Sequence, residues 1–350
     1  MINDPNAPTG VARTHDCLAE IRDAITPIID TSITQLDPAL AKVARYHFGG
    51  IESDQDQIKV SIQGKALRPA LVTLGRPLSA LPAEVREGVS VTAAAVEMVH
   101  QWSLMEDDII DGDSVRRGRP STWAIHGVPL TLLTADAIQA QMVRMLMRLR
   151  SSTPVEILLE TILKLVSGQA RELVVAQGAE STDIDKYIGV AASKTGALLS
   201  TSLALGVALQ GGDDDAVDAA TRAGHHLGLS WQASNDLEDI WCDSTQTGKL
   251  SGSDSQQGKS TLPVIFATEE SGSTSPTTHA RVPFEQVLDH SRSIEIRNRT
   301  IEFSDRELDM ALAASEEIDF LGYDQSDLAT LLQWIVRQSQ AKYLPDRLLR

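Results

Sequence analysis

The chain has little of what staples small secreted folds, and little of what strands prefer. Only two of its 350 residues are cysteine, Cys17 and Cys242, and neither lies in a CxxC pattern. No disulfide framework or structural zinc site is implied. Aromatic residues make up 4 %, which argues against a β-sandwich, because strands favour aromatic and β-branched side chains. No uninterrupted apolar run approaches the roughly 18 residues that a membrane span requires. The first ten residues, MINDPNAPTG, lack the charged-then-apolar layout of a signal peptide. The expectation is a cytoplasmic protein, in which the Asn298-Arg299-Thr300 sequon carries no meaning. Positive charge is also short: 31 Lys and Arg stand against 48 Asp and Glu, a net charge of −17. That balance argues against nucleic-acid binding, which needs a basic face. It leaves room for an anionic small ligand if basic residues are gathered locally. Apolar content is ordinary for a globular chain at 42 %, and the length allows one large domain or two smaller ones.

The apolar periodicity is helical. Ile21, Ile25, Ile28 and Ile29 recur at helix spacing, followed by Leu36, Leu40 and Val43. Residues 82–111 read as one long helix, apolar on most sides and therefore central. Further helices are expected at 131–150, 154–178, 184–210, 214–241 and 305–340. There is no convincing alternation of apolar and polar residues and no internal repeat. Residues 1–12, rich in Pro, Asn and Gly, form a mobile arm by expectation. Residues 243–259 and 270–283 read as long connections. No linker divides the rest, so residues 13–350 are expected to form one all-α domain.

The most informative stretch is residues 100–122, HQWSLMEDDIIDGDSVRRGRPST. On a helix, Asp107 and Asp111 are i and i+4 and share one face. Their repulsion weakens the helix end unless a cation sits between them. Carboxylate oxygens, with water and phosphate oxygens, are what Mg²⁺ prefers. Gly112 ends the helix, and Arg116 and Arg117 follow. Carboxylates beside paired guanidinium forks suit a metal–diphosphate. The DDxxD pattern alone is weak, because Asp214-Asp215-Ala216-Val217-Asp218 matches it too. That copy follows Gly211-Gly212 without basic neighbours and reads as an acidic helix N-terminus, which the helix dipole favours. A second acidic helix runs through Asn235, Asp236, Asp239 and Asp243, with Asn235, Asp239 and Asp243 on one stripe.

Among the cations, Lys65 and Arg68, at i and i+3, lie beside a helix-starting Pro69 in GKALRP. Lys194-Thr195-Gly196 interrupts an apolar helix. Lys249 and Lys259 each follow a glycine. Gly258-Lys259-Ser260 is not a P-loop: the residue five before Gly258 is Ser253, and no strand leads into it.

Taken in order, GKALRP, HQWSLMEDDIIDGDSVRRGRP, GQARE at 168–172, KTG, NDLED and GKLSGSD…GKSTLP make the chain similar to trans-isoprenyl diphosphate synthases of the polyprenyl synthetase family, over residues 64–263. The resemblance implies an all-α isoprenoid synthase bundle of antiparallel helices around a deep central cavity, usually as a homodimer. It implies Mg²⁺-dependent condensation of isopentenyl diphosphate with an allylic diphosphate, without nucleic acid or a membrane span. Asp107, Asp108 and Asp111 correspond to the first metal motif, and Asn235, Asp236 and Asp239 to the second, with Asp236 and Lys194 also among the catalytic groups. Arg116 corresponds to an allylic-diphosphate contact. Lys65, Arg68, His100 and Arg117 correspond to the isopentenyl-diphosphate site. Lys194, Thr195, Gln232 and Lys259 correspond to groups that bind and ionise the allylic substrate, and Lys249 to one that closes over it. Released pyrophosphate is the proton acceptor in the family. Trp102 lies five residues before Asp107, about 7–8 Å along a helix axis. With small Ser103 beside it and Met98 one turn deeper, it is the expected floor for the growing chain, which favours a C20 product over C15.

The second motif departs from the family in beginning with Asn235 rather than Asp. That keeps a class I terpene cyclase open as an alternative, although a cyclase has no need of Lys65, Arg68, His100 and Arg117. A non-catalytic subunit of a heteromeric synthase is the other alternative, and the intact DDIID speaks against it.

Overall fold

A computed structural model of the chain describes residues 9–50, 60–176, 183–242, 259–270, 290–320 and 323–344. Of the expected loops at 243–259 and 270–283, all but residues 259 and 270 lie outside the described residues, and with them Asp243 and Lys249. So do residues 1–8 of the expected arm, whereas residues 9–12 already belong to the first helix. The described residues are helical almost throughout, as the periodicity predicts. The chain divides into two compact units, Met1–Ile162 with Thr201–Thr221 and Glu317–Leu331, and Leu163–Ser200 with Arg222–Glu316 and Leu332–Arg350.

In the first unit, α1 (Thr9–Thr34) buries Ile21, Ile25, Ile29 and Ile33 completely. These four are one stripe at i+4 spacing, while Ile28 lies beside it, only partly buried. The helix stops before Asp37, whose carboxylate accepts the Ala39 N–H at 2.9 Å and starts α2 (Pro38–His47) with Pro at its first position. A short α3 (Leu67–Val72) follows. Then comes α4 (Ala83–Ile110), within a residue of the expected bounds, packed against α1, α3 and α6 (Val128–Leu146). Its run Thr92–Val99 is buried on every side. Between α4 and α6 lie a two-strand hairpin, β1 (Val115–Arg116) and β2 (Arg119–Pro120), and α5 (Thr122–His126). The hairpin was not legible as alternation because each strand is two residues long.

Later in the chain, α8 (Ile184–Ala191) and a π-helical turn, Ala192–Gly196, belong to the second unit, and they run into α9 (Ala197–Leu209), which from Thr201 is counted with the first. The KTG interruption read from the sequence is this turn. By composition Ile184–Leu209 is apolar enough to cross a membrane, but two thirds of that window is buried in the protein. Helix α7 (Thr153–Ala176) precedes it, and α10 (Asp214–Trp241) follows. The remaining helices are α11 (Leu262–Glu270), α12 (His290–Glu316) and α13 (Ser326–Gln340). The single helix expected at 305–340 is thus two helices, and the first begins 15 residues earlier. The break is closed by polar side chains: Asp324 accepts the Ser326 N–H at 2.9 Å, and the Gln325 amide donates to the Ile318 carbonyl at 2.7 Å.

Helix α10 meets the π-turn and the start of α9 through glycine. A Cβ at Gly228 would stand 2.3 Å from the Gly196 Cα, and one at Gly224 2.3 Å from the Ser200 Cα. Backbone lies on both sides, so neither contact relaxes by rotating a side chain. Gly228→Ala is expected to destabilise the protein by about 2 kcal/mol or more, read as a lower urea midpoint at unchanged slope.

Candidate active site

The first unit builds one half of the expected site at the C-terminal end of α4. Asp111 closes the helix, its N–H donating to the Asp107 carbonyl at 2.8 Å, and Gly112 takes φ +70° to turn the chain away. Asp107 and Asp111 stand half-buried on the last turn. Asp108, between them, is 1 % exposed and receives both Nε (2.7 Å) and Nη2 (2.6 Å) of Arg116 on Oδ1. Arg116 lies on β1, which the chain reaches by folding back from Gly112. The hairpin turn is Arg117-Gly118 with φ of +52° and +75°, a left-handed pair that normally selects Asn-Gly. An arginine there is strained backbone carrying a charge.

That turn aims Arg117 at the GKALRP loop: a Cβ on Gly64 would lie 3.6 Å from Arg117 Nη2. Arg68 feels both Glu97 and Arg117, and burial brings it down to about 10, still charged at neutral pH. Burial also holds the His100 ring well below its usual range, and repulsion from Arg68, Arg117, Arg116 and His47 adds to this. His100 is therefore a neutral hydrogen-bonding group rather than a cation. Lys65 is exposed beside them. Arg68, His100 and Arg117, chosen from the sequence for one role, are thus electrostatic neighbours.

Five residues of this cluster were not singled out in the sequence. His47 is buried, bonds Thr122 Oγ1 through Nδ1 at 2.9 Å, and is pushed down to about 3 by burial, then by Arg116 and Arg117. Tyr46 and Arg119 stack, with Arg119 Cζ 4.4 Å from the ring centroid, and Arg119 also donates to the Tyr46 carbonyl. With Gln63 these line a small cleft that also presents Gln101, Asp108, Arg116 and Arg117. Glu97, 3 % exposed, accepts from Gln101 Nε2 at 2.6 Å; burial raises it, and that hydrogen bond, then Arg68 and Arg117, offset part of the rise. An acid inside the apolar run 93–99, three residues before His100, is a legible anomaly in hindsight.

Trp102 is 4 % exposed on α4, one turn before Glu106, whose carboxyl burial pushes up. Met98 is fully buried, and Ser103 donates to the His100 carbonyl at 2.9 Å.

The second unit holds the other expected groups. Lys194, in the π-turn, pairs with Glu172 of α7 at 2.6 Å. Close approach of α7 is possible because residue 168 is glycine: a Cβ there would be 2.9 Å from Ser193 Cβ and 3.0 Å from Lys194 N. Thr195 Oγ1 donates to Gln232 Oε1 at 2.7 Å, and Gln232 Nε2 donates to Asp236 Oδ1 at 2.9 Å. Asp236 Oδ2 accepts from Tyr187 OH at 2.9 Å and from Leu262 N at 2.8 Å. The expectation that Asp236 faces a metal thus meets a carboxylate 2 % exposed with both oxygens hydrogen-bonded inside the protein. Asn235 is exposed and Asp239 half-buried, one turn apart. Lys259 is half-buried three residues before α11.

Among the described residues no three acids or histidines are already gathered as a metal cage. The donor set is oxygen only, on helix ends open to small ligands. Mg²⁺ suits such a set, since it keeps waters and takes one or two carboxylates plus phosphate oxygens.

The sequence profile of the family described as polyprenyl synthetase matches residues 56–286. The chain is 37 % identical over 245 residues to a geranylgeranyl diphosphate synthase of Mycobacterium tuberculosis, covering 69 % of each. It is 32 % identical over 282 residues to a (2E,6E)-farnesyl diphosphate synthase of Mycobacterium bovis, covering 77 % of this chain and 74 % of that one. Among solved structures, a polyprenyl synthetase from Streptomyces coelicolor A3(2) superposes with a TM-score of 0.76 at 30 % identity, covering 92 % of this chain and 99 % of the other.

Proposed function

The chain belongs to the polyprenyl synthetase family, and from that premise we propose that it condenses isopentenyl diphosphate with allylic diphosphates to an all-trans C20 diphosphate. The observation that carries the reading is the grouping of Arg68, His100 and Arg117 beside the acidic end of α4. A metal-assisted diphosphate and a metal-free one need different receptors. Oxygen ligands serve the first, and cations with a neutral donor serve the second.

Asp107 and Asp111, with Asn235 and Asp239, are the residues that would hold Mg²⁺, while Asp108 holds Arg116 beside them. When bound, the metal neutralises charge on the leaving pyrophosphate. Arg116, Lys194, Thr195, Gln232 and Lys259 bind the allylic diphosphate. Their cations favour departure of the pyrophosphate with the C–O electron pair. Lys65, Arg68, His100 and Arg117 hold isopentenyl diphosphate so that its double bond attacks the allylic C1. A new C–C bond forms, and the proton then lost from the adjacent carbon passes to pyrophosphate. Apolar walls keep water from quenching the cation. Trp102, with Met98 and Ser103, sets the length.

Residues 13–350 act as one catalytic domain, in the cytoplasm and as a homodimer. For the dimer the support is a set of exposed apolar side chains in the first two turns of α6, where Val128, Leu130, Leu132 and Leu133 are 38–56 % exposed.

The test is product analysis with Mg²⁺, isopentenyl diphosphate and, separately, C5, C10 and C15 allylic diphosphates. Linear C20 prenols after dephosphorylation are expected. Cyclic hydrocarbons formed without isopentenyl diphosphate would replace the reading with a terpene cyclase.

A further inference from the structure

We infer that Asp236 and Tyr187 are a positioning pair that holds the allylic-diphosphate residues in place, and that Asp236 does not ligate metal. The inference deepens the reading above, and rests on it for the roles of Lys259, Thr195 and Gln232. A carboxylate offers about four lone-pair positions. At Asp236 three of them receive donors from three separate elements: Tyr187 OH of α8, Leu262 N of α11, and Gln232 Nε2 of its own helix. Tyr187 is 5 % exposed, inside an apolar cluster with Ala233, Leu262, Phe266 and Phe303, and meets the Phe303 ring edge-on at 6.5 Å. A buried anion is tolerated there because its oxygens are hydrogen-bonded. Mg²⁺, which keeps several waters, is poorly served by an oxygen pair inside such a cluster.

Each bond has a consequence for a neighbour. Leu262 is the first residue of α11, and its N–H is one of the donors a helix start leaves unsatisfied. Asp236 caps that start from across the unit and favours its positive end. Lys259 sits three residues upstream, so the cap decides where the backbone carrying Lys259 arrives. The bond to Gln232 Nε2 decides which way that amide points, and so places Oε1 as the acceptor for Thr195. Tyr187 is fixed by packing and supplies the rigid anchor.

The other acidic motif repeats the arrangement. Its second acid, Asp108, is 1 % exposed and held by Arg116, whereas Asp107 and Asp111 are half-buried. In both motifs the second position is sequestered, and the first and last residues stand more open.

The test uses full-length protein carrying Tyr187→Phe, Asp236→Asn or Asp239→Asn. Amide hydrogen exchange at the first turn of α11, without metal or substrate, reports the cap directly. Protection should fall about tenfold in Tyr187→Phe and Asp236→Asn, the effect of weakening one buried hydrogen bond, and stay unchanged in Asp239→Asn. In turnover, the first two variants should raise the KM for the allylic diphosphate with the Mg²⁺ half-saturation unmoved, and Asp239→Asn should raise the Mg²⁺ requirement. The inference is overturned if Asp236→Asn shifts the Mg²⁺ half-saturation as Asp239→Asn does, or if α11 keeps its protection in both hub variants. Wild-type protein that makes no prenyl diphosphate would instead remove the proposed reaction, and the exchange experiment would still decide the pairing of Tyr187 with Asp236.

Discussion

Asp107→Asn and Asp111→Asn are each expected to lower kcat by about a thousandfold, while leaving the thermal transition near that of the parent. Both side chains sit on the last turn of α4, four residues apart and half-buried. Removing one negative charge there relieves repulsion between them, so stability does not suffer. What is lost is a charged oxygen ligand at the point where the leaving group must be neutralised. Raising Mg²⁺ should recover part of the rate, because the amide oxygen still coordinates weakly. Asp108→Asn should behave differently. Its carboxylate is the buried partner of Arg116, and breaking such a pair costs about 3 kcal/mol. Urea denaturation beside steady-state kinetics separates the two patterns. If Asp107→Asn and Asp111→Asn keep full activity at low Mg²⁺, the first motif is not a metal site.

The second large effect is on product length. Trp102→Ala is expected to shift the product from C20 to longer chains. It should also cost about 3–5 kcal/mol of stability, as loss of a buried indole does. The indole is buried in close-packed surroundings, so packing restrains it from swinging aside for a longer chain. Adding Met98→Ala, one turn deeper, should lengthen the product further. Trp102→Phe keeps most of the bulk and should keep the length. Chromatography of dephosphorylated prenols reads all three. Unchanged products from Trp102→Ala would leave the tryptophan as core packing only.

How far the site was legible depended on how local each cause was. The bounds of α4 follow from apolar cover over three turns and from Gly112, both read along a short window. The split between α12 and α13 depends on Asp324 and Gln325 turning back on the chain, and one apolar periodicity runs across it. Lys65, Arg68, His100 and Arg117 were legible as members of an ordered motif set. Tyr46 and His47 reach the same cleft because α2 packs against α5 and α6, and Arg119 and Gln63 join them through the Tyr46 and Gly49 carbonyls. Asp236 shows the limit most clearly. In the sequence it is one acid among several, and its partner Tyr187 lies 49 positions away. Burial and donors, not residue type, distinguish it from Asp239.

The left-handed turn at Arg117 bears on how this protein would respond to selection. Glycine or asparagine at that position would relax the backbone and raise heat resistance. Either would also remove a guanidinium from the diphosphate receptor. Thermostability and turnover therefore pull this single codon in opposite directions. A library screened for survival on heating alone would enrich the relaxed turn and discard its chemistry, so any evolution experiment on this scaffold has to screen for both.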